Sequence, residues 1–423
     1  MIQPISINPK EKVWYDKGSA LADINQFQEA IQCFNETISI NPKYDLALIG
    51  KGNALTKLEQ YQDAINCYTE AIYINPKSDT AWSGKGYALG CLYKFHEAIE
   101  CFKQAISINP KYDDAWNWKG VALEKLNQYQ EAIDSISINP KEGSAWNNKG
   151  LSLYNLNHYQ EAIECYNEAI FINPKYVEAW NGKGDSLFNL TQFEESIECY
   201  NEAISINPKS VEAWNGKGNV LNFTQFEEAI ECYNVAISIN PKYVDAWNGK
   251  GCALFDLNQF EDAIECYDEA ISINPKYIDA WTNKGTALLN LNKFKEAIEC
   301  YDQAIFINPK SVDAWNYKSN ALTNSNQFED AIECYNEAIS INPKFYWAFE
   351  YKGLILQQLQ KHMDAVQNFE QALKINTDAY RFKNQADSLF ELRRSSQAKY
   401  FYFAAYEMDL DQNAYLKTQL SKL

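Results

Sequence analysis

From Val177 to Lys209, VEAWNGKGDSLFNLTQFEESIECYNEAISINPK, apolar and small residues recur at helical spacing in two separate runs. At about 100° per residue, Ala179, Trp180, Gly184, Ser186, Leu187 and Leu190 gather on one side of the first run. Glu178, Asn181, Asp185, Phe188 and Asn189 fall opposite. In the second run Phe193, Ser196, Ile197, Tyr200, Ala203 and Ile204 form an apolar stripe, while Glu195, Glu198, Asn201 and Glu202 face away. Asn207-Pro208 stops this helix, because proline disfavours helical geometry in the residue before it and has no N–H to donate. Gly184 costs about 1 kcal/mol against alanine inside a helix. Its recurrence as Gly52, Gly86, Gly120, Gly150, Gly218, Gly251, Gly285 and Gly353 therefore predicts close helix approach.

The same punctuation returns along the chain. Asn-Pro-Lys follows a first copy at Pro9 ten more times, at Pro42, Pro76, Pro110, Pro140, Pro174, Pro208, Pro241, Pro275, Pro309 and Pro343, mostly in steps of 34 residues. A recurrence of roughly 20 to 50 residues marks a stacked repeat, since one such unit cannot bury its apolar face without a neighbour. The expected fold is an all-α solenoid of helix-turn-helix units.

Trp180, Gly184, Leu187, Ser196, Tyr200, Ala203 and Pro208 resemble the signature of the tetratricopeptide repeat. The resemblance covers residues 11–377 in eleven units, of which the fourth, 113–141, lacks four residues. A degenerate twelfth follows at 378–409, with Phe382, Ala386, Leu389, Ala398, Tyr402 and Ala405 at the signature positions, and residues 410–423 are expected to form a terminal capping helix. Residues 1–10 read as the remnant of a preceding repeat. The family likeness implies a right-handed superhelix whose concave groove is lined by first helices and holds extended peptides or partner helices.

Three departures qualify it. Lysine stands before the glycine position in eleven repeats, from Lys17 to Lys352, where its stem can pack while the ammonium reaches water or a glutamate. Ser319 replaces the tenth glycine. Losing four residues, about 400° of helix, is expected to displace the apolar stripe of the fourth unit by about 40° and leave the stack standing.

Charge narrows the partners. Lysine plus arginine is 38 against 56 acidic residues, a net charge of -18, which disfavours nucleic acid and anionic membranes. No apolar run approaches the roughly 18 residues of a membrane span, and a cytoplasmic setting is expected. Nine of the eleven cysteines, from Cys33 to Cys334, share one repeat position. Stacked helices roughly 10 Å apart hold such residues beyond disulfide reach, so reduced, packed thiols are expected, with no metal or cofactor site.

Catalysis finds no support. His96, His158 and His362 sit near turns of different repeats, and no phosphate loop, HExxH or Ser/His/Asp arrangement is present. The expectation is a non-catalytic protein-interaction scaffold. On the face opposite the tryptophans, one position reads Asn117, Asn147, Asn181, Asn215, Asn248, Thr282 and Asn316. Another reads Asp114, Ser144, Glu178, Glu212, Asp245, Asp279 and Asp313. Carboxamides can pair with any peptide backbone, whereas carboxylates favour lysine- or arginine-rich segments. Tyr154, Phe188 and Phe255 are candidates to seat apolar side chains. The modules that hold acidic chaperone C-termini resemble a basic clamp; here acids and asparagines stand on that face, so such tails are not expected to bind. The alternative reading is a structural or self-assembling solenoid stacking end to end, or a regulatory subunit of a separately encoded enzyme.

Overall fold

The computed structural model describes residues 9–138, 142–408 and 414–423, and every regular element among them is an α-helix. The expected remnant before Pro9, the last residues of the fourth unit and the start of the terminal segment lie outside the described residues. The chain divides into two compact units, residues 1–216 and 217–423. The first holds α1 (Pro9–Asp23), α2 (Phe27–Ile40), α3 (Asp45–Lys57), α4 (Tyr61–Ile74), α5 (Asp79–Cys91), α6 (Phe95–Ile108), α7 (Asp113–Lys125), α8 (Tyr129–Ile136), α9 (Gly143–Asn155), α10 (Tyr159–Ile172), α11 (Val177–Asn189) and α12 (Phe193–Ile206). The division falls within α13 (Val211–Leu221). The second holds α14 (Phe226–Ile239), α15 (Val244–Asp256), α16 (Phe260–Ile273), α17 (Ile278–Asn290), α18 (Phe294–Ile307), α19 (Val312–Asn324), α20 (Phe328–Ile341), α21 (Tyr346–Gln358), α22 (His362–Ile375), α23 (Ala379–Glu391), α24 (Ser395–Met408) and α25 (Ala414–Lys422).

Asn-Pro-Lys acts together with the tryptophan that follows it. The Asn207 carboxamide oxygen accepts the Lys209 N–H at 3.1 Å, which closes a side-chain turn, and the Trp214 indole donates to the Pro208 carbonyl at 3.0 Å. The same two bonds recur around Pro76, Pro110, Pro174, Pro241, Pro275 and Pro309. The indole N–H is thereby paired with the carbonyl of the helix-stopping proline itself.

The glycines do meet large rings. A Cβ at Gly150 would lie 2.8 Å from the Tyr166 ring, and one at Gly182, in the next repeat, 2.5 Å from the same ring edge. Tyr68, Tyr200 and Tyr233 meet glycine pairs in the same way. Repeats 9 and 10 use another device: Tyr317 and Tyr351 stack on Tyr301 and Tyr335 at centroid distances of 5.9 and 6.3 Å. Ser319 is fully buried there, its hydroxyl donating to the Trp315 carbonyl at 2.7 Å.

The shortened repeat keeps its register. Ile136 stands where the other repeats carry tyrosine or phenylalanine and packs against Gly120, and α8 ends at that residue instead of rotating its stripe. The 40° displacement expected from the missing residues does not occur within α8, because the helix stops at Ile136; the turn it loses is the one that carries the fully buried Ala105 and Ala169 in the neighbouring repeats. The repeated lysines pack along the tryptophans: seven lie with Nζ 5.0–5.9 Å from the centroid of the tryptophan three residues earlier, and Lys284 and Lys318 reach Asp268 and Asp302 at 2.6 and 2.7 Å. The indole face and the carboxylate are compatible partners, since Lys318 has both.

Within the first unit each first helix touches the next first helix, from α1 to α11, and α15, α17 and α19 do so in the second. Successive second helices do not meet to a comparable extent. The first helices therefore line the tighter side of each stack.

Candidate functional site

The asparagine ladder lies on that tighter side but is half-buried. Asn117 accepts a bond from Asn148 Nδ2 at 3.3 Å, and Asn248 accepts one from Asn283 Nδ2 at 3.1 Å. Asn147 is half-buried, and Thr282 donates to the Ile278 carbonyl within its own helix. The Oδ1 atoms of Asn181, Asn215 and Asn316 are buried without a hydrogen-bond partner among the described residues. Each follows from the next repeat: where that repeat supplies asparagine the carboxamide is paired, and Gly216, one repeat after Asn181, supplies nothing. An unsatisfied buried oxygen costs roughly 1–3 kcal/mol. At Asn181 and Asn316 the Nδ2 group is left as the exposed end of the amide.

The acidic row is exposed at Asp114, Glu178, Glu212, Asp245, Asp279 and Asp313. Asp245 accepts a hydrogen bond from the Tyr277 hydroxyl at 2.8 Å, and Ser210 donates to Glu212 at 3.4 Å. Burial, then Glu142 and Asp113 nearby, push the Asp114 carboxyl above its ordinary range. The three aromatics are walls rather than free side chains. Tyr154, Phe188 and Phe255 rest on Tyr159, Phe193 and Phe260, with centroids 5.4, 5.9 and 5.2 Å apart, and Asn189 donates to the Tyr154 hydroxyl at 3.1 Å.

A second row on this face went unread in the sequence. Four residues after the ladder position, Asn53, Asp185 and Asn219 accept the hydroxyl of Tyr68, Tyr200 and Tyr233 at 2.6, 2.6 and 2.9 Å. Cys252 and Thr286 take Tyr267 and Tyr301 in the same place. Desolvation raises the Asp185 carboxyl despite its bond from Tyr200. The available signal was a polar residue followed by tyrosine 14 or 15 positions on.

Elsewhere the chemistry is quiet. His96 and His158 are exposed, and no group of three His, Cys, Asp or Glu residues able to hold a metal ion occurs among the described residues. No helix among them is long and apolar enough to cross a membrane. The nine repeat-position cysteines are buried free thiols, and burial pushes Cys199 up to about 11 against the pull of Lys183.

The paired helices, glycine-tyrosine contacts and proline-tryptophan clips define an α-helical repeat scaffold. The tetratricopeptide repeat profile matches residues 11–44, 46–78, 143–176, 244–277, 278–311 and 312–345. Further profiles of the repeat match 80–112, 101–134, 184–222 and 225–257. The chain belongs to the tetratricopeptide repeat family. Two crystal structures are similar to it: the APC/C hetero-tetramer Cut9–Hcn1, at 14% identity over 98% of this chain and 96% of that one with a TM-score of 0.48, and yeast Tom70, at 15% over 97% and 96% with a TM-score of 0.47. A comparison with curated proteins returns no match. Scaffolds of this family are consistent with protein–protein interaction.

Proposed function

We propose that this chain is a non-catalytic scaffold that binds an extended, basic segment of another protein along the first-helix face. The observation that carries the reading is the row of exposed carboxylates at Glu178, Glu212 and Asp313, standing beside the half-buried carboxamides of Asn181 and Asn316. The Nδ2 ends of Asn181 and Asn316 can donate to a peptide carbonyl, and the acids select lysine or arginine. The net charge of -18 argues against nucleic acid, anionic membranes and acidic chaperone tails as partners. Eleven free thiols suit a reducing, cytoplasmic setting.

The test is calorimetric titration with a lysine- and arginine-rich 15-residue peptide and an aspartate- and glutamate-rich control. The basic peptide is expected to bind and the acidic one not. Replacing Asn181, Asn215 and Asn316 together by alanine is expected to weaken binding about tenfold without lowering Tm. Equal binding of both peptides, or an unchanged affinity in the triple variant, rejects the reading.

A further inference from the structure

Tyr154, Phe188 and Phe255 share the twelfth position of their first helices, five residues before the aromatic that opens the second. Repeat 3 has Gly90 at that position, and Phe95 still follows five residues later. Of the chain's 17 glycines, Gly90 alone has nothing within 4 Å of where a Cβ would stand. Close packing, which explains the other helical glycines, does not explain this one, although glycine there costs about 1 kcal/mol of helix stability.

The opening is a cavity of about 270 Å³ walled by Tyr87, Tyr93, Phe95, Trp118 and Val121. Tyr87 meets Trp118 edge-on at 4.7 Å, and Tyr93 meets Phe95 edge-on at 6.1 Å. Each pair has the edge-to-face geometry that aromatic rings prefer, so the walls of the opening are held by their own contacts. In repeats 5, 6 and 8 the chain fills the corresponding place with its own ring.

We infer that in repeat 3 the ring comes from outside: the cavity is a socket for a phenylalanine or tyrosine side chain of the bound peptide. Lys125, the one charged residue bordering it, is paired with Glu124 at 3.3 Å, so the lining offers an uncharged aromatic surface; the basic character of the chain carrying the ring follows from the net charge of -18 and the function proposed above. The peptide part of this inference rests on the function proposed above; the socket itself does not.

Two probes separate them. Lysine-rich 15-residue peptides with phenylalanine or alanine at one central position are titrated calorimetrically, and p-cresol is added as a free ring while the Trp118 indole N–H resonance is followed. In the unaltered protein, p-cresol is expected to shift the Trp118 resonance, and the phenylalanine peptide to bind about tenfold tighter than the alanine peptide. Gly90→Phe fills the socket from within and is expected to abolish both effects while retaining Tm; Gly90→Leu serves as the second filling variant. A Trp118 resonance unmoved by p-cresol, together with equal affinities for the two peptides, overturns the socket. If neither peptide binds but p-cresol shifts Trp118 in a Gly90-dependent way, the socket stands and the peptide-binding function falls.

Discussion

Repeats 6 and 11 place opposite chemistries at one position of the fold. In repeat 6 it holds Asn181, neutral and unsatisfied at its buried oxygen. In repeat 11 it holds Glu350, 5% exposed, which accepts the Arg381 Nε–H at 2.6 Å. Arg381 also donates to the Asn376 carboxamide oxygen at 2.8 Å and lies 4.3 Å from the Tyr346 ring centroid. The residue three before it changes in step, from exposed Glu178 to Trp347, whose ring centroid is 5.5 Å from the same guanidinium. The face left exposed in repeat 6 is thus used internally in repeat 11. One position can thus hold a polar atom without a partner or a buried ion pair, depending on what the next repeat supplies.

The largest effect expected from this contrast is in repeat 11. Arg381→Met leaves Glu350 buried without its cation and should cost about 3–5 kcal/mol, read as lost amide protection in α21 to α24 and a lower unfolding midpoint. Glu350→Leu combined with Arg381→Met should recover most of the loss, because no charge is then stranded. Asn181→Ala, by comparison, should leave stability unchanged or slightly raised. An Arg381→Met variant no less stable than Asn181→Ala would remove the distinction.

A smaller effect separates the two ways of holding the tyrosine. Tyr166 is in close contact with both Gly150 and Gly182, so Gly182→Ala should cost roughly 1–3 kcal/mol through overpacking. Tyr301 has Gly285 on one side and a stacked Tyr317 on the other. Buried Ser319 in the next repeat shows that this second arrangement admits a side chain at the glycine position. Gly285→Ala should therefore cost less, its clash partly offset by about 1 kcal/mol of helix propensity. Paired denaturant titrations of the two variants measure the difference, and equal losses would merge the two arrangements into one.

The packed half of the molecule was legible because its signals are periodic. Trp180, Gly184, Tyr200 and Cys199 recur at a fixed spacing, and helical geometry alone puts them inside. Periodicity gives direction from a helix axis but not the reach of a side chain from elsewhere. Asp185 falls on the outward side of α11, yet the Tyr200 hydroxyl extends from α12 to meet it. Phe188 was placed on the same outward side and instead lies against Phe193 in the following helix. The pairing of ladder residues was hidden for a related reason: whether Asn117 or Asn181 is satisfied depends on residue 148 or 216, one repeat away. The socket at Gly90 was invisible because a glycine in a repeat rich in glycine looks like another close contact.

The smallest predicted effect tests whether the second polar row contributes structure through its hydrogen bond or through its charge. Asp185 accepts the Tyr200 hydroxyl with the same 2.6 Å geometry that Asn53 uses for Tyr68, so a carboxamide suffices at this position. Burial raises the Asp185 carboxyl above its ordinary value of 3.8, which means the folded protein holds that proton more tightly than the unfolded chain does. The stability linked to the proton is fully present below the unfolded value and is lost as pH rises through the folded one. At neutral pH the ionised group is therefore a net cost. Asp185→Asn removes the charge and keeps the acceptor, so Tm should rise by a few degrees at about pH 7 and the gain should shrink to nothing below about pH 4. Melting curves of the two proteins across that range decide it. A variant less stable at neutral pH would show that the carboxylate, not merely an oxygen, is what Tyr200 requires.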